Sequence, residues 1–419
     1  MQSLAVEIMD FLGLLLGTVA TLVSLSAALI LIWAAYYHWS NTEVPRGICR
    51  PLTLRLLHVL MLVVFEADEI LWKVGLSNQF VFARLIIDLY GCLLFSDPKL
   101  TIKNVTVEGV PVRVYQPKTP QSLRRGIIHI HGGAGVTGSI DSYETISRYF
   151  ANETDSVVFA VEYSLGPEHL YPLPFQQCLD ITVHVLERAE DYGMDPARII
   201  VCGDSFGALL TAATCQALGQ RRDLPKLRAQ ILLCPALQMV TFNLPSYKQN
   251  SNVPILLQKQ AIKFMLQYFK RNVLLTDLML EGTHVPKGMK MKYKKWLSAE
   301  HIPEEFQRRE AKVTTSTHPL GDIHKIIKTI AGPKLSPLLA DDEIIQQLPE
   351  MFILTCQYDV LRDDGILYKK RLEENGVPVT WCHLVDGFHS VTYFINSWLF
   401  HFPCSKRGMD HVVNFIRSL

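Results

Sequence analysis

The chain has 419 residues, with 41 Lys and Arg against 40 Asp and Glu, and a formal net charge of +1. That balance argues against nucleic acid as a partner, because a polyanion binder concentrates positive charge. Hydrophobic residues make up 49% and charged residues 19%, which excludes large-scale disorder and directs attention to a membrane segment. From Phe11 to Tyr37 no charge occurs, and at about 1.5 Å per helical residue this run exceeds the ~30 Å hydrocarbon core. Trp33, Tyr36, Tyr37 and Trp39 close it with rings suited to the headgroup layer. The run is too long for a signal-peptide core and no Lys or Arg precedes it, so residues 1–40 read as a retained anchor that meets the membrane through residues 11–37. Orientation signals conflict. Arg46, Arg50 and Arg55 follow the span and favour a cytosolic body, whereas the sequons at Asn104 and Asn152 are candidate glycosylation sites that suit a lumenal one.

Residues 41–97 hold two further apolar stretches, 56–65 and 80–95, each too short or too charged to span. They predict amphipathic helices packed on the body, with a lipophilic access route beside the bilayer as the alternative. After Pro98, alternation over 105–117 predicts a hairpin turning at Glu108-Gly109. Short continuous apolar runs follow at 126–130, 157–163, 198–203, 229–234, 351–356 and 379–384. Helical segments at 143–150, 175–190, 208–218 and 365–374 separate several of them. Strands apolar on both sides, alternating with helices, predict an α/β fold with a mostly parallel central sheet. The main domain is thus expected over 98–419, with a cap inserted at about 239–343 over the C-terminal edge of the sheet. The lysine-rich run 287–295 within it reads as a solvated face rather than a lipid contact.

Gly203-Asp204-Ser205-Phe206-Gly207 lies between the strand 198–203 and a helix, a G-x-S-x-G in strand–turn–helix context. Such a turn holds the serine hydroxyl proud of the sheet edge. A hydroxyl is a poor nucleophile until a base removes its proton, so a histidine oriented by a carboxylate must lie in reach. Asp359 follows the strand 351–356, and His389 follows the strand 379–384, in the chain order this sheet type demands. Asp363 and Asp364 open the next helix and read as N-capping residues; Asp386 reads as a turn residue, and His169 and His383 as structural. His131-Gly132-Gly133-Ala134-Gly135, after the strand 126–130, offers bare amides that with the Phe206 N–H would form an oxyanion hole. Nine cysteines include no Cys-x-x-Cys pair, against a zinc ribbon or a dithiol redox motif, and Cys202, Cys234 and Cys356 read as core thiols.

HGGAG, EYSLGPEHLYPLPFQQCLD (162–180), GDSFGA, SPLLADD (336–342), YDVLRDDG and DGFHS together resemble the hormone-sensitive-lipase-like branch of the α/β-hydrolases. With the N-terminal anchor they resemble the arylacetamide deacetylases, and among those the arylacetamide deacetylase-like 4 group. The resemblance is strong over 98–419 and looser over the anchor. It implies an α/β-hydrolase fold with Ser205 as nucleophile, His389 as general base and acid, Asp359 as its orienting partner and the HGG loop as oxyanion hole. Asp204 matches the family's acidic residue before the nucleophile. It also implies a lumenal body at the endoplasmic reticulum, no metal or other cofactor, and a lipophilic ester as substrate. Two departures stand out: Ala134 replaces a third glycine, and Phe206 replaces a small residue, adding bulk beside the acyl pocket. The alternative expectation is a weak or inactive hydrolase-fold protein that binds a hydrophobic ligand without turning it over.

Overall fold

The computed structural model describes residues 2–92, 97–307, 327–397 and 399–419. Eight strands form one sheet: β1 (Leu100–Val107), β2 (Val110–Pro117), β3 (Arg124–Ile130), β4 (Val157–Val161), β5 (Met194–Asp204), β6 (Ala229–Leu233), β7 (Glu350–Tyr358) and β8 (Val379–Phe388). Their order is β1-β2-β4-β3-β5-β6-β7-β8, antiparallel through β1, β2 and β4 and parallel from β4 to β8. The expected hairpin is present, with Glu108 and Gly109 as its turn at positive φ. Every apolar run that reads as a strand is one.

Alternation explains why those runs are continuous. Ile127, Ile200, Ile231 and Phe352 face a layer that includes Phe150 and Ile416, while Ile128, Val201, Leu232 and Ile353 face Phe175, Leu209 and Leu367. Both faces are therefore covered, as a parallel sheet requires. The helices are α1 (Gln2–Asn41), α2 (Pro51–Lys73), α3 (Val81–Cys92), α4 (Glu144–Thr154), α5 (Leu173–Glu187) and α6 (Phe206–Gly219). Between β6 and β7 come α7 (Pro245–Gln249), α8 (Gln258–Tyr268), α9 (Thr276–Glu281), α10 (Lys287–Leu297) and α11 (Asp342–Ile345). The described part of the expected insertion at 239–343 is thus helical; its residues 308–326, like the end of the apolar stretch at 93–95, lie outside the described residues. In α10 the lysines face solvent while Tyr293 and Trp296 are buried, with Lys292 and Lys295 lying over those two rings. After β7 come α12 (Arg362–Glu374) and, at the C-terminal end, α13 (Pro403–Ser418).

α1 is long and apolar enough over Met9–Asn41 to cross a membrane, and its apolar window is not covered by the rest of the chain. A disulfide between Cys49 and Cys404 fastens the segment before α2 to the start of α13. Cys202, Cys234 and Cys356 are free and buried, as expected of core thiols.

Candidate active site

The sheet register brings the site together. Ile130 pairs with Gly203, Asp204 with Leu233, Leu233 with Leu354, and Tyr358 with Phe388. The next residues in β3, β5, β7 and β8 are His131, Ser205, Asp359 and His389, so all four leave the sheet at one edge. Ser205 alone separates β5 from α6, at φ 54 and ψ −115. A side chain held there costs of order 1–3 kcal/mol, and the surroundings must impose it. They do so through hydrogen bonds: Ser205 N–H donates to Leu233 O at 2.9 Å, and Ser205 O accepts from Ala208 N–H at 3.1 Å and Ala236 N–H at 3.3 Å. The flanking glycines are steric necessities, since a Cβ on Gly207 would stand 2.2 Å from Ile130 O and one on Gly203 2.3 Å from Gly207 O.

Ser205 Oγ lies 3.0 Å from His389 Nε2, and His389 Nδ1 lies 3.0 Å from Asp359 Oδ2. Asp359 Oδ1 accepts Leu361 N–H at 2.9 Å, which fixes the rotation of the carboxylate. All three side chains are buried. Because a carboxylate only accepts, Nδ1 carries the imidazole proton and Nε2 is left to accept from the serine hydroxyl. Burial works against a charged imidazole, but the Asp359 carboxylate, its hydrogen bond and Asp204 together outweigh it and raise the His389 pKa above its ordinary 6.5.

Asp204 is wholly buried and accepts from Tyr143 Oη at 2.8 Å and Ser390 Oγ at 3.0 Å. Burial pushes its carboxyl up to about 6, with His389 and the two hydroxyl donors pulling the other way. It therefore ties the serine turn to the residue after His389 and adds negative charge near the imidazole. The acid limb of a kcat/KM profile is expected to have its midpoint above 6.5. Asp204→Asn removes that charge and lowers the His389 pKa, so the limb will move to lower pH; a pH–rate series on both proteins checks the direction.

The glycine loop lies against the serine turn. A Cβ on Gly132 would be 2.8 Å from Asp204 O, and one on Gly135 2.9 Å from the Phe206 ring. Gly133, at φ 108, accepts the N–H groups of Val136 and Thr137 at 3.0 and 2.9 Å, which folds the loop back on itself. Ala134 follows at φ 57. Among the described residues no hydrogen bond takes up the N–H of Gly133, Ala134 or Phe206. Unpaired donors beside a hydroxyl, at the N-terminus of α6, suit an oxyanion. His131 contributes differently: its ring stacks on Tyr163 at 4.2 Å, its Nδ1 meets Gly132 O at 2.8 Å, and burial pushes its pKa down to about 4, so it packs the loop as a neutral ring.

An α/β-hydrolase-fold family model matches residues 127–285 and 305–393. Human arylacetamide deacetylase-like 4 is 40% identical over 392 residues, covering 93% of this chain and 96% of its own. The chain belongs to the arylacetamide deacetylase family. Bovine arylacetamide deacetylase is 36% identical over 352 residues, covering 77% of this chain and 88% of its own. An esterase from the archaeon Pyrobaculum calidifontis shares the fold, with a TM-score of 0.64 at 22% identity over 88% of this chain and 98% of that one.

Several residues hold this family's fold around the site in ways the sequence did not disclose. Asp363 and Asp364 do not cap α12; the residue before the helix is Leu361 and both carboxylates are fully buried. Asp363 Oδ2 accepts Ser246 N–H at 2.6 Å and Oδ1 accepts Arg362 Nε at 2.9 Å, while Asp364 Oδ2 accepts Leu237 N–H and its Oδ1 the Gln238 amide, each at 3.1 Å. They moor the start of the helical insertion to the strand end that carries Asp359. Asp386 lies within β8 rather than in a turn, paired with Arg407. His169 sits in an exposed turn, and His383 is held within β8 by Thr355 and Gln357. The Phe206 ring turns to the insertion, 5.1 Å from the Tyr268 ring of α8, and is only 3% exposed. Among the described residues the one cluster spaced like a metal site is Cys49, Asp386 and Cys404, and its sulfurs are bonded to each other.

Arg84 of α3 joins that helix to the glycine loop. Its Nε donates to Val136 O at 2.9 Å, Nη2 donates to Gly166 O at 2.7 Å, and both terminal nitrogens bind Glu168 at 2.9 Å. A planar fork is needed to serve three acceptors at once. Arg84→Ala and Arg84→Lys are both expected to lower kcat, by roughly 10- to 100-fold for a loop displaced by about 1 Å, with KM little changed. Steady-state kinetics on a soluble ester separates the two constants.

Proposed function

We propose that this chain is a membrane-anchored serine hydrolase that cleaves carboxylic esters of lipophilic substrates through an acyl-enzyme on Ser205, with amides as a second substrate class. The observation that carries this reading is the hydrogen-bonded series Ser205, His389, Asp359 at one sheet edge. In the first half-reaction Ser205 Oγ attacks the acyl carbon and His389 Nε2 takes its proton. The oxyanion is received by the N–H groups of Gly133, Ala134 and Phe206. His389 then passes the proton to the leaving alcohol as the C–O bond breaks. In the second, water replaces the alcohol: it loses a proton to His389, attacks the acyl-serine and releases the acid, and Ser205 regains its proton. Asp359 holds the imidazole tautomer throughout.

The lipophilic preference rests on apolar continuity. The cluster that contains Phe206 extends into Met239, Phe242, Ile262, Met265 and Tyr268 of the insertion, which supports reading the insertion as an apolar cap. Esters of graded acyl length, assayed on the full-length protein, test the reading. Turnover is expected to favour longer acyl groups and to vanish in Ser205→Ala. Folded protein inactive at every length would favour a ligand-binding role instead.

The same proposal has the body face the lumen of the endoplasmic reticulum. The Cys49–Cys404 disulfide supports an oxidising compartment. Asn104 and Asn152 are both exposed, so each is accessible for glycosylation. The arginines after α1 point the other way, but a structural disulfide is rare in the reducing cytosol. Protein made in cells is expected to gain mobility on treatment with peptide N-glycosidase, and a Cys49–Cys404 peptide is expected in a non-reduced digest. A chain with neither would place the body in the cytosol.

A further inference from the structure

We propose that the outward face of α2 and α3 seats in the lipid bilayer as a second contact beside α1; this rests on the anchored reading above. The last turns of α1 pack on α2. Ala34 and His38 are wholly buried there, His38 Nδ1 lies 2.9 Å from His58 Nδ1, and Arg55 reaches both His38 Nε2 and the Trp39 ring. α2 therefore lies level with Trp33, Tyr36 and Trp39, rings that belong at the headgroup layer.

Each of the two helices presents an apolar ridge to the outside. On α2 it is Leu52, Leu56 and Leu60, on α3 Val81, Leu85 and Leu89, all exposed and spaced four residues apart on one side of their helix. Trp72, Val74 and Leu76 expose further apolar surface at the turn between the helices, Leu76 at 77%. Key polar groups of the pair are spent inward, Asp68 accepting the N–H groups of Phe80 and Ala83 and Arg84 holding the glycine loop, while the exposed Glu69 and Lys73 near the end of α2 pair with each other at 2.7 Å. The inner side of α2 also packs Phe65 on Phe264 of α8. A helix pair in water shows the reverse pattern, polar side out.

Two features select a bilayer over a second copy of the chain. The ridge continues from a helix that is itself apolar all round, and Arg46 and Arg50 stand exposed at the turn from α1 to α2, where lipid phosphates would meet them. Because α3 also carries Arg84, seating places the site against the phase in which a lipophilic ester dissolves.

The test uses the full-length protein in phosphatidylcholine vesicles with a carbene photolabel confined to the hydrocarbon, adducts being located by mass spectrometry. Residues 52–60 and 72–89 are expected to carry adducts at a level comparable to α1 and roughly tenfold above α10, a ratio that corresponds to about 1.4 kcal/mol of preference for lipid. Helix α10 is a fair reference, because Met291 is 79% exposed there yet flanked by lysines. Adducts on α1 with α2 and α3 no higher than α10 would overturn the proposal and leave the anchor standing. If that result came with chemical cross-links between α2–α3 segments of two chains, the face would belong to a dimer. A chain without adducts on α1 would remove the anchor, and this proposal with it.

Discussion

Ser205→Ala will reduce ester turnover by roughly 10⁴- to 10⁶-fold while leaving the protein folded. Among the described residues the hydroxyl bonds to His389 alone, so its loss removes the proposed nucleophile and little packing. Alanine keeps the same Cβ at φ 54, and the backbone bonds to Leu233, Ala208 and Ala236 that hold the turn do not involve the side chain. Circular dichroism and thermal unfolding should therefore match the parent. Substrate affinity should also persist, because the amides of the glycine loop and the apolar residues clustered with Phe206 are untouched. A variant retaining more than about a hundredth of the parent kcat would show that another group attacks, since water held by the remaining site supplies far less.

Asp359→Asn is expected to lower kcat by about 10⁴-fold, although it changes one atom. Leu361 N–H occupies Oδ1 of the native carboxylate and holds Oδ2 toward His389. An asparagine in that slot keeps its carbonyl oxygen on the Leu361 N–H and turns its NH₂ to the ring. Nδ1 must then accept, the ring proton moves to Nε2, and the serine hydroxyl faces a donor instead of a base. The same substitution removes the chief influence that raises the His389 pKa against burial. Its acid limb should move to lower pH even as the plateau collapses, and the pH dependence of the residual rate separates this cause from simple misfolding. Activity within tenfold of the parent would mean that the tautomer is set by something other than Asp359.

Much of the site was legible because its parts are local. Two glycines around a serine after an apolar strand announce a turn where backbones touch, and the 2.2 Å clearance at Gly207 is the physical content of that motif. The strands were legible because both of their sides are buried, and chain order then selected Asp359 and His389. What escaped depended on depth and on distant partners. Asp363 and Asp364 look like capping residues because sequence does not say that a helix start is enclosed by Leu237, Gln238 and Ser246. Tyr143 and Ser390 meet on Asp204 from 61 and 186 residues away. Cys49 and Cys404 are separated by 355 residues, and nine cysteines allow many pairings. For Phe206, bulk was readable and direction was not, since the ring's partner is Tyr268 of the insertion. α13 is an element whose signal is present in the sequence without having been read as a helix: Met409, Val412, Val413 and Ile416 follow helical spacing and all are buried.

Reaction of the full-length, membrane-embedded protein with a fluorophosphonate, followed by location of the adduct by mass spectrometry, tests the proposed acyl-enzyme most directly. Phosphonylation requires a serine activated by its base, so the adduct is expected on Ser205, and it should disappear after heat denaturation and be greatly slowed in His389→Ala. Folded protein that hydrolyses esters yet carries no adduct on Ser205, or carries it on another serine, would contradict the assignment.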